Sequence, residues 1–202
     1  MRYIQLFALC LLASCQWFKS EDVANQLLID SRSMQTIYDL EKELGGELSY
    51  YSGKVNPKFC PEVVNCDAAD RYLTSIRRSE DLPLIAKYFF DKDSVVQFVH
   101  YEWSKTVPPL NYEEREQIMA QEVNNFPAYM NKLNLIAEKV HAEFGEPIYK
   151  DEGLQEGGTS LLDFKKYKII YKKDGQVVEL RLLWSPQMGA RFFKVIAKVY
   201  WE

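Results

Sequence analysis

Histidine is the rarest side chain of this sequence, with only His100 and His141 in 202 residues. Two imidazoles remote in sequence do not have zinc-ligand spacing, so no metal site is expected. The motifs that would name an enzyme are missing as well. There is no Gly-x-Ser-x-Gly, no Walker loop, no His-Glu-x-x-His and no dinucleotide fingerprint, so no cofactor is expected. Glycine is sparse, at nine residues, and its densest stretch, Gly153 to Ser160, lacks the following Lys and the strand-to-helix context of a phosphate loop. That stretch predicts a flexible loop instead. Basic charge is not in excess: 25 Lys and Arg face 29 Asp and Glu, a net charge of −4. This removes the electrostatic footprint of a nucleic-acid binder. The Lys165-Lys166 and Lys172-Lys173 pairs lie beside strand-like residues and read as solvated strand ends. A long apolar run is also lacking. The N-terminal one, Tyr3 to Ser14, is far short of the roughly 20 residues a bilayer-spanning helix needs.

That short run is nonetheless organised. Arg2 is a minimal positive n-region, Ile4 to Leu12 is an apolar h-region broken only by Gln5, and small residues then lead into Cys15. This is the layout of a secretory signal. The sequence Leu12-Ala13-Ser14-Cys15 resembles the lipobox of bacterial membrane lipoproteins. The resemblance implies cleavage before Cys15, a diacylglyceryl thioether on its sulfur, and usually a third acyl chain on the new amino group. Two or more chains anchor a protein stably, which makes membrane lipid a partner through Cys15. Gln16 follows where an Asp marks inner-membrane retention in Gram-negative sorting. The resemblance thus implies the outer membrane, with the domain in the periplasm or at the cell surface. The alternative is an ordinary signal peptide that carries a cysteine near its cleavage site. On the lipoprotein reading residues 1–14 are removed and residues 15–22 form the lipidated N-terminus and a short tether.

The same reading sorts the four cysteines. Cys10 leaves with the signal and Cys15 is acylated, so Cys60 and Cys66 remain as an even pair. In an exported protein such a pair is expected to form a disulfide. A loop of about seven residues gives roughly 2.4 kcal/mol by chain entropy. Two free thiols are the alternative.

At 47% hydrophobic and 27% charged residues, the sequence has the composition of an ordinary folded chain. Apolar residues at helical spacing run from Ser20 to Leu44, and Gly45-Gly46 supplies the stop. Glu47 to Tyr51 is a short strand candidate. Asp67 can cap a helix over 68–78. Leu84 to Phe90 and Val95 to Trp103 read as strands joined by the turn Asp91–Ser94. After Pro108-Pro109, Tyr112 to Val123 is helical. Phe126-Pro127 then kinks or restarts the helix, because proline disfavours helix at the residue before it. Tyr129, Leu133, Ile136, Val140 and Phe144 form one stripe ended by Gly145. Pro147 to Tyr149 is a short strand, and strands follow at 164–171, 177–184 and 191–201, with Lys173-Asp174-Gly175 as a turn.

The stretch from Phe89 to Ser104 aligns without a gap on Ile170 to Ser185, matching Lys92 with Lys173, Asp93 with Asp174, Val96 with Val177, Trp103 with Trp184 and Ser104 with Ser185. In each half a helix ending in Glu-Leu-Gly or Glu-Phe-Gly comes first. The expectation is an α+β fold: an antiparallel sheet with helices packed on one face, built by tandem duplication of a helix-plus-β-hairpin unit. The first unit spans 23–107, with the Cys60–Cys66 segment and its following helix as an insertion, and the second spans 108–202. This plan is similar in architecture, though not in motif, to the beta-lactamase-inhibitor-like fold and to small outer-membrane assembly lipoproteins.

Strand alternation puts both tryptophans toward the helices and leaves His100, Glu102, Glu179 and Arg181 on the opposite, half-polar face. His100 with Glu102 is the only pair placed for acid–base work. A solvated face with cross-strand charge pairs is the favoured reading, so no catalytic residue is assigned, and the four form a possible binding face. His141 is expected to flank the core. Paired rings such as Tyr50-Tyr51 exceed what one inward face can hold, so some are expected on a sheet face or edge, where aromatics favour contacts with protein or sugar. The function expected is a protein-binding or accessory module of the cell envelope, with an envelope protein as partner. A carbohydrate- or small-ligand-binding module comes next, and a hydrolase using His100 and Glu102 third.

Overall fold

The computed structural model describes residues 32–53, 55, 59–61, 64, 69–78, 82–108, 110–157, 164–186 and 192–202. The signal segment, Cys15, the tether, Cys66 and Asp67 lie outside the described residues, as do residues 158–163 and Arg191. Residues 31–202 make one compact unit.

Its elements in chain order are α1 (Met34–Glu43), β1 (Glu47–Ser52), β2 (Arg71–Arg77), β3 (Leu84–Phe90), β4 (Val96–Trp103), α2 (Tyr112–Glu122), α3 (Phe126–Phe144), β5 (Tyr149–Lys150), β6 (Gln155–Gly157), β7 (Phe164–Lys173), β8 (Gln176–Ser185) and β9 (Phe192–Trp201). The strands form one antiparallel sheet in the order β1-β2-β3-β4-β9-β8-β7-β5, with β6 also on β7. The class is α+β.

Local chemistry sets the hairpins. Asp174 (φ 49°) and Gly175 (φ 80°) are both left-handed, which is what a two-residue type I′ connection between Lys173 and Gln176 requires. Between β3 and β4 the Asp91 carboxylate accepts from the amides of Asp93 (2.9 Å) and Val95 (3.0 Å). The register shifts after Phe89, so that Phe90 faces Val96. Asn111 and Glu114 close a capping box on α2, and Pro127 lies in the first turn of α3, so Phe126-Pro127 restarts the helix.

Three expectations are corrected. Residues 71–77 are strand β2, not a helix. Tyr72, Thr74 and Ile76 alternate with Leu73 and Ser75, and pairing on both sides, to β1 and β3, overrides the capping signal read at Asp67. The helix expected from Ser20 begins, among the described residues, only at Met34. Ser33 is extended and bridges Val95, and the Val96 amide donates to the Arg32 carbonyl at 2.8 Å. Within the stretch read as a loop from Gly153, residues 155–157 form β6, while 158–160 lie outside the described residues.

The sheet has two buried faces. Toward the helices it presents Tyr88, Tyr101, Trp103, Leu180, Leu182, Trp184, Val195 and Val199. Tyr129 of α3 meets Trp184 edge-on at 5.4 Å between ring centroids. The other face carries an apolar cluster of Phe89, Phe98, Val177 and Tyr200, covered by Val55, Phe59, Cys60 and Val64. Phe59, Cys60 and Val64 therefore lie on the sheet.

Candidate functional site

The polar residues singled out by alternation do share that second face. Register aligns Lys87, His100, Lys198 and Glu179 in one cross-strand row. Glu102, Ile196 and Arg181 form the next. Part of this face is closed to solvent: His100 is 4% exposed and Glu179 5%, while Glu102 and Arg181 are half-buried.

What covers them is the Cys60 segment. Phe59 packs edge-on against the His100 ring (5.3 Å between centroids), and the Lys87 ammonium sits 4.0 Å over the Phe59 ring. Lys198 Nζ donates to the Cys60 carbonyl at 3.2 Å. The cations thus hold the segment down by a cation–π contact and a charge-assisted hydrogen bond. Glu102 lies 3.6 Å from His100 Nε2, too far for a hydrogen bond, and 3.2 Å from Lys194 Nζ. Arg181 Nε donates to Glu179. Among the described residues neither ring nitrogen of His100 has a hydrogen-bond partner.

The electrostatics follow from burial. Desolvation pulls the His100 pKa below the ordinary imidazole range, against the pull of Glu102, and Lys198 and Lys87 add to the depression. Burial also lowers Lys87. For Glu102, burial pushes the carboxyl up, but His100 and Lys194 more than reverse it, to about 2. The result is a neutral imidazole beside a fixed carboxylate, roofed by Phe59. A base in that position has no open path to a substrate proton.

Sequence reasoning misses a second cluster, on the helix face. Glu41 is wholly buried, and Arg77 is 4% exposed. Arg77 donates Nη2 to Glu41 Oε1 (2.8 Å) and Nε to Oε2 (3.0 Å) in the bidentate mode. Ser75 Oγ donates to Oε2 at 2.6 Å, and the Tyr88 hydroxyl donates to Oε1. Burial, with Tyr101 and Glu41 adjoining, holds the Tyr88 phenol far above its usual pKa. Arg77 is lowered by burial but raised more by Glu41. This network clamps α1 to β2 and β3. One available signal is position: Glu41 follows Ile37 by one helical turn on the buried stripe.

Two open clefts lie among the described residues. One, of about 330 Å³, lies between α3 and the strands β5 and β7 and is lined by Asn134, Glu138, His141, Lys150, Tyr167 and Tyr171. His141 is exposed there rather than flanking the core. The other, of about 270 Å³, includes Glu102, Ser104, Arg115 and Lys194. No group of three or more His, Cys, Asp or Glu able to hold a metal occurs among the described residues, and no helix of the described residues is long and apolar enough to cross a membrane. No protein family matches this chain, and neither a curated protein nor a solved structure matches it.

Proposed function

We propose that the chain is a bacterial membrane lipoprotein, held by acylated Cys15 in the outer membrane, whose folded domain is a protein-binding accessory module of the cell envelope. The observation that carries the anchor is Leu12-Ala13-Ser14-Cys15 behind a short apolar run. The binding role is supported by rings left at the surface, Tyr38, Tyr50, Tyr51, Tyr112 and Tyr149. The roofed His100 gives a hydrolase no open acid–base centre, and its burial with Glu179 moves the binding surface from the sheet face toward the sheet edge. Capture of the tagged chain from crosslinked membranes should return one specific envelope protein. Recovery of lipid alone would contradict the proposal.

A ligand-binding module is the second reading, favoured by the cleft lined with Tyr167, Tyr171 and His141. Thermal stabilisation by glycans or lipids, without a protein partner, would establish it instead.

The disulfide between Cys60 and Cys66 is also proposed. Alkylation of the unfolded, unreduced chain should add no mass at these positions, and addition of two alkyl groups would contradict it.

The fold is further proposed to descend from a tandem duplication, in a different register from the hairpin alignment. What supports this is a strand order symmetric about the β4–β9 pair, with each half running from a helix through a meander. That symmetry equates β2, β3 and β4 with β7, β8 and β9. Trp103 and Trp184 then share a face without being equivalent.

A further inference from the structure

The two edges of the sheet are unlike. On one side the edge is split into β5, of two residues, and β6, of three. Asp151 between them accepts from the Tyr149 hydroxyl (2.6 Å), Gln155 Nε2 (3.0 Å) and the Lys168 amide (2.8 Å). Short, interrupted edge strands resist pairing with other chains. At the other edge, β1 is an unbroken six-residue strand in continuous register with β2, from Glu47 opposite Ile76 to Ser52 opposite Arg71. It carries no lysine, proline or bulge, the usual devices that blunt an edge. Tyr50 is 52% exposed and Tyr51 47%. Among the described residues β1 has no main-chain partner on its outer side.

We infer that this edge pairs, antiparallel, with β1 of a second copy of the chain, centred on Ser49. A two-fold axis perpendicular to a sheet keeps each face on its own side, so residues facing across it must share parity. Centring on Ser49 sets Leu48 against Tyr50 of the second copy, and Glu47 against Tyr51 of the second copy. Leu48 and Tyr50 lie on the helix side, where their register partners are Ser75 and Leu73, and form an apolar cross-strand pair. Glu47, the only charge in the strand, meets a phenol rather than another carboxylate. It also holds Arg78 at 2.8 Å. Tyr51 stacks on Tyr72, with centroids 4.9 Å apart and planes at 16°. The Glu47–Arg78 pair of one copy thus falls beside the aromatic stack of the other, a favourable cation–π arrangement. Centring on Tyr50 instead would set Leu48 against Ser52 and lose the pair. A six-residue edge is a small interface, of the weak and reversible class. The inference goes beyond the envelope-partner proposal, because the pairing is a property of β1 and not of the anchor.

The test uses two differently tagged full-length chains, co-produced and solubilised in a large excess of micelles. Ser49 is exposed and faces itself across the axis, so Ser49→Lys or Ser49→Glu places like charges in contact. Wild-type copies should co-capture. Each variant alone should lose at least about tenfold in apparent affinity, with an unchanged melting temperature. The Lys variant mixed with the Glu variant should recover capture. Failure of the wild-type copies to co-capture, undiminished capture by either variant alone, or a mixed pair no better than the like pairs would each overturn the inference.

Discussion

Removing the Glu41 carboxylate should be the most damaging single polar change in the described core. Glu41→Ala leaves the Arg77 guanidinium, 4% exposed, without its bidentate partner. It also strips the acceptor from Ser75 Oγ and the Tyr88 hydroxyl. Breaking one side of a buried ion pair costs about 3–5 kcal/mol, because the remaining charge stays desolvated. For a domain of this size that corresponds to a melting temperature lower by about 10 °C. The assay is urea denaturation at neutral pH on wild type, Glu41→Leu, Arg77→Met and the double variant, alongside Glu41→Ala. Each single change should cost several kcal/mol. The double variant, with no stranded charge, should be more stable than either single, and the coupling should exceed about 1 kcal/mol. A Glu41→Ala cost below about 1 kcal/mol, or additive single changes, would refute the clamp.

Stability should also depend on pH through His100. Lys87, Glu102, Lys194, Lys198 and Glu179 surround or adjoin it, and burial, the leading cause, keeps its folded pKa below the unfolded value of about 6.5. The unfolded chain therefore binds more protons just below pH 6.5, and stability falls as pH drops toward the folded pKa. Glu102, held near 2, loses its contribution only below about pH 4.5, so the window from pH 7 to 5 isolates the imidazole. His100→Leu should flatten the urea midpoint across that window, and an unchanged slope would contradict the assignment. Gly46→Ala should destabilise by about 1–3 kcal/mol, since its new Cβ would lie 2.1 Å from Ser75 Oγ and 3.0 Å from the Glu41 carbonyl. A thermal melt within about 1 °C of wild type, small against the shift expected for such a cost, would show that Ser75 yields freely.

Much of the secondary structure is legible in the sequence because its signals are local. Asp174-Gly175 fixes a hairpin through backbone sterics alone, and the stripe of Tyr129, Leu133, Ile136 and Val140 is buried as its spacing predicts. β2 is not legible in this way, because its conformation is imposed by neighbours on both sides and not by its own period. The second face misleads for a related reason. Alternation correctly places His100, Glu102, Glu179 and Arg181 together, but whether a half-polar face meets water depends on a distant segment. Phe59 and Cys60 come back over the sheet, and the register of Phe89, Phe98 and Tyr200 beneath them is the aromatic hint of a second core. Glu41 is hidden because a hydrophobic stripe is recognised by its apolar members only. A carboxylate on the buried side of α1 calls for a cation, and Arg77 supplies it from a strand where the sequence predicts a helix capped by Asp67.

The mass of the mature chain tests the proposed lipid anchor at Cys15 most directly. The protein extracted from membranes should begin at Cys15, carry the mass of a diacylglyceryl group with or without a further acyl chain, and sediment with the outer membrane. Cys15→Ser should abolish acyl labelling. An unmodified chain beginning elsewhere, or labelling retained in Cys15→Ser, would contradict the anchor and with it the proposed place of the domain in the envelope.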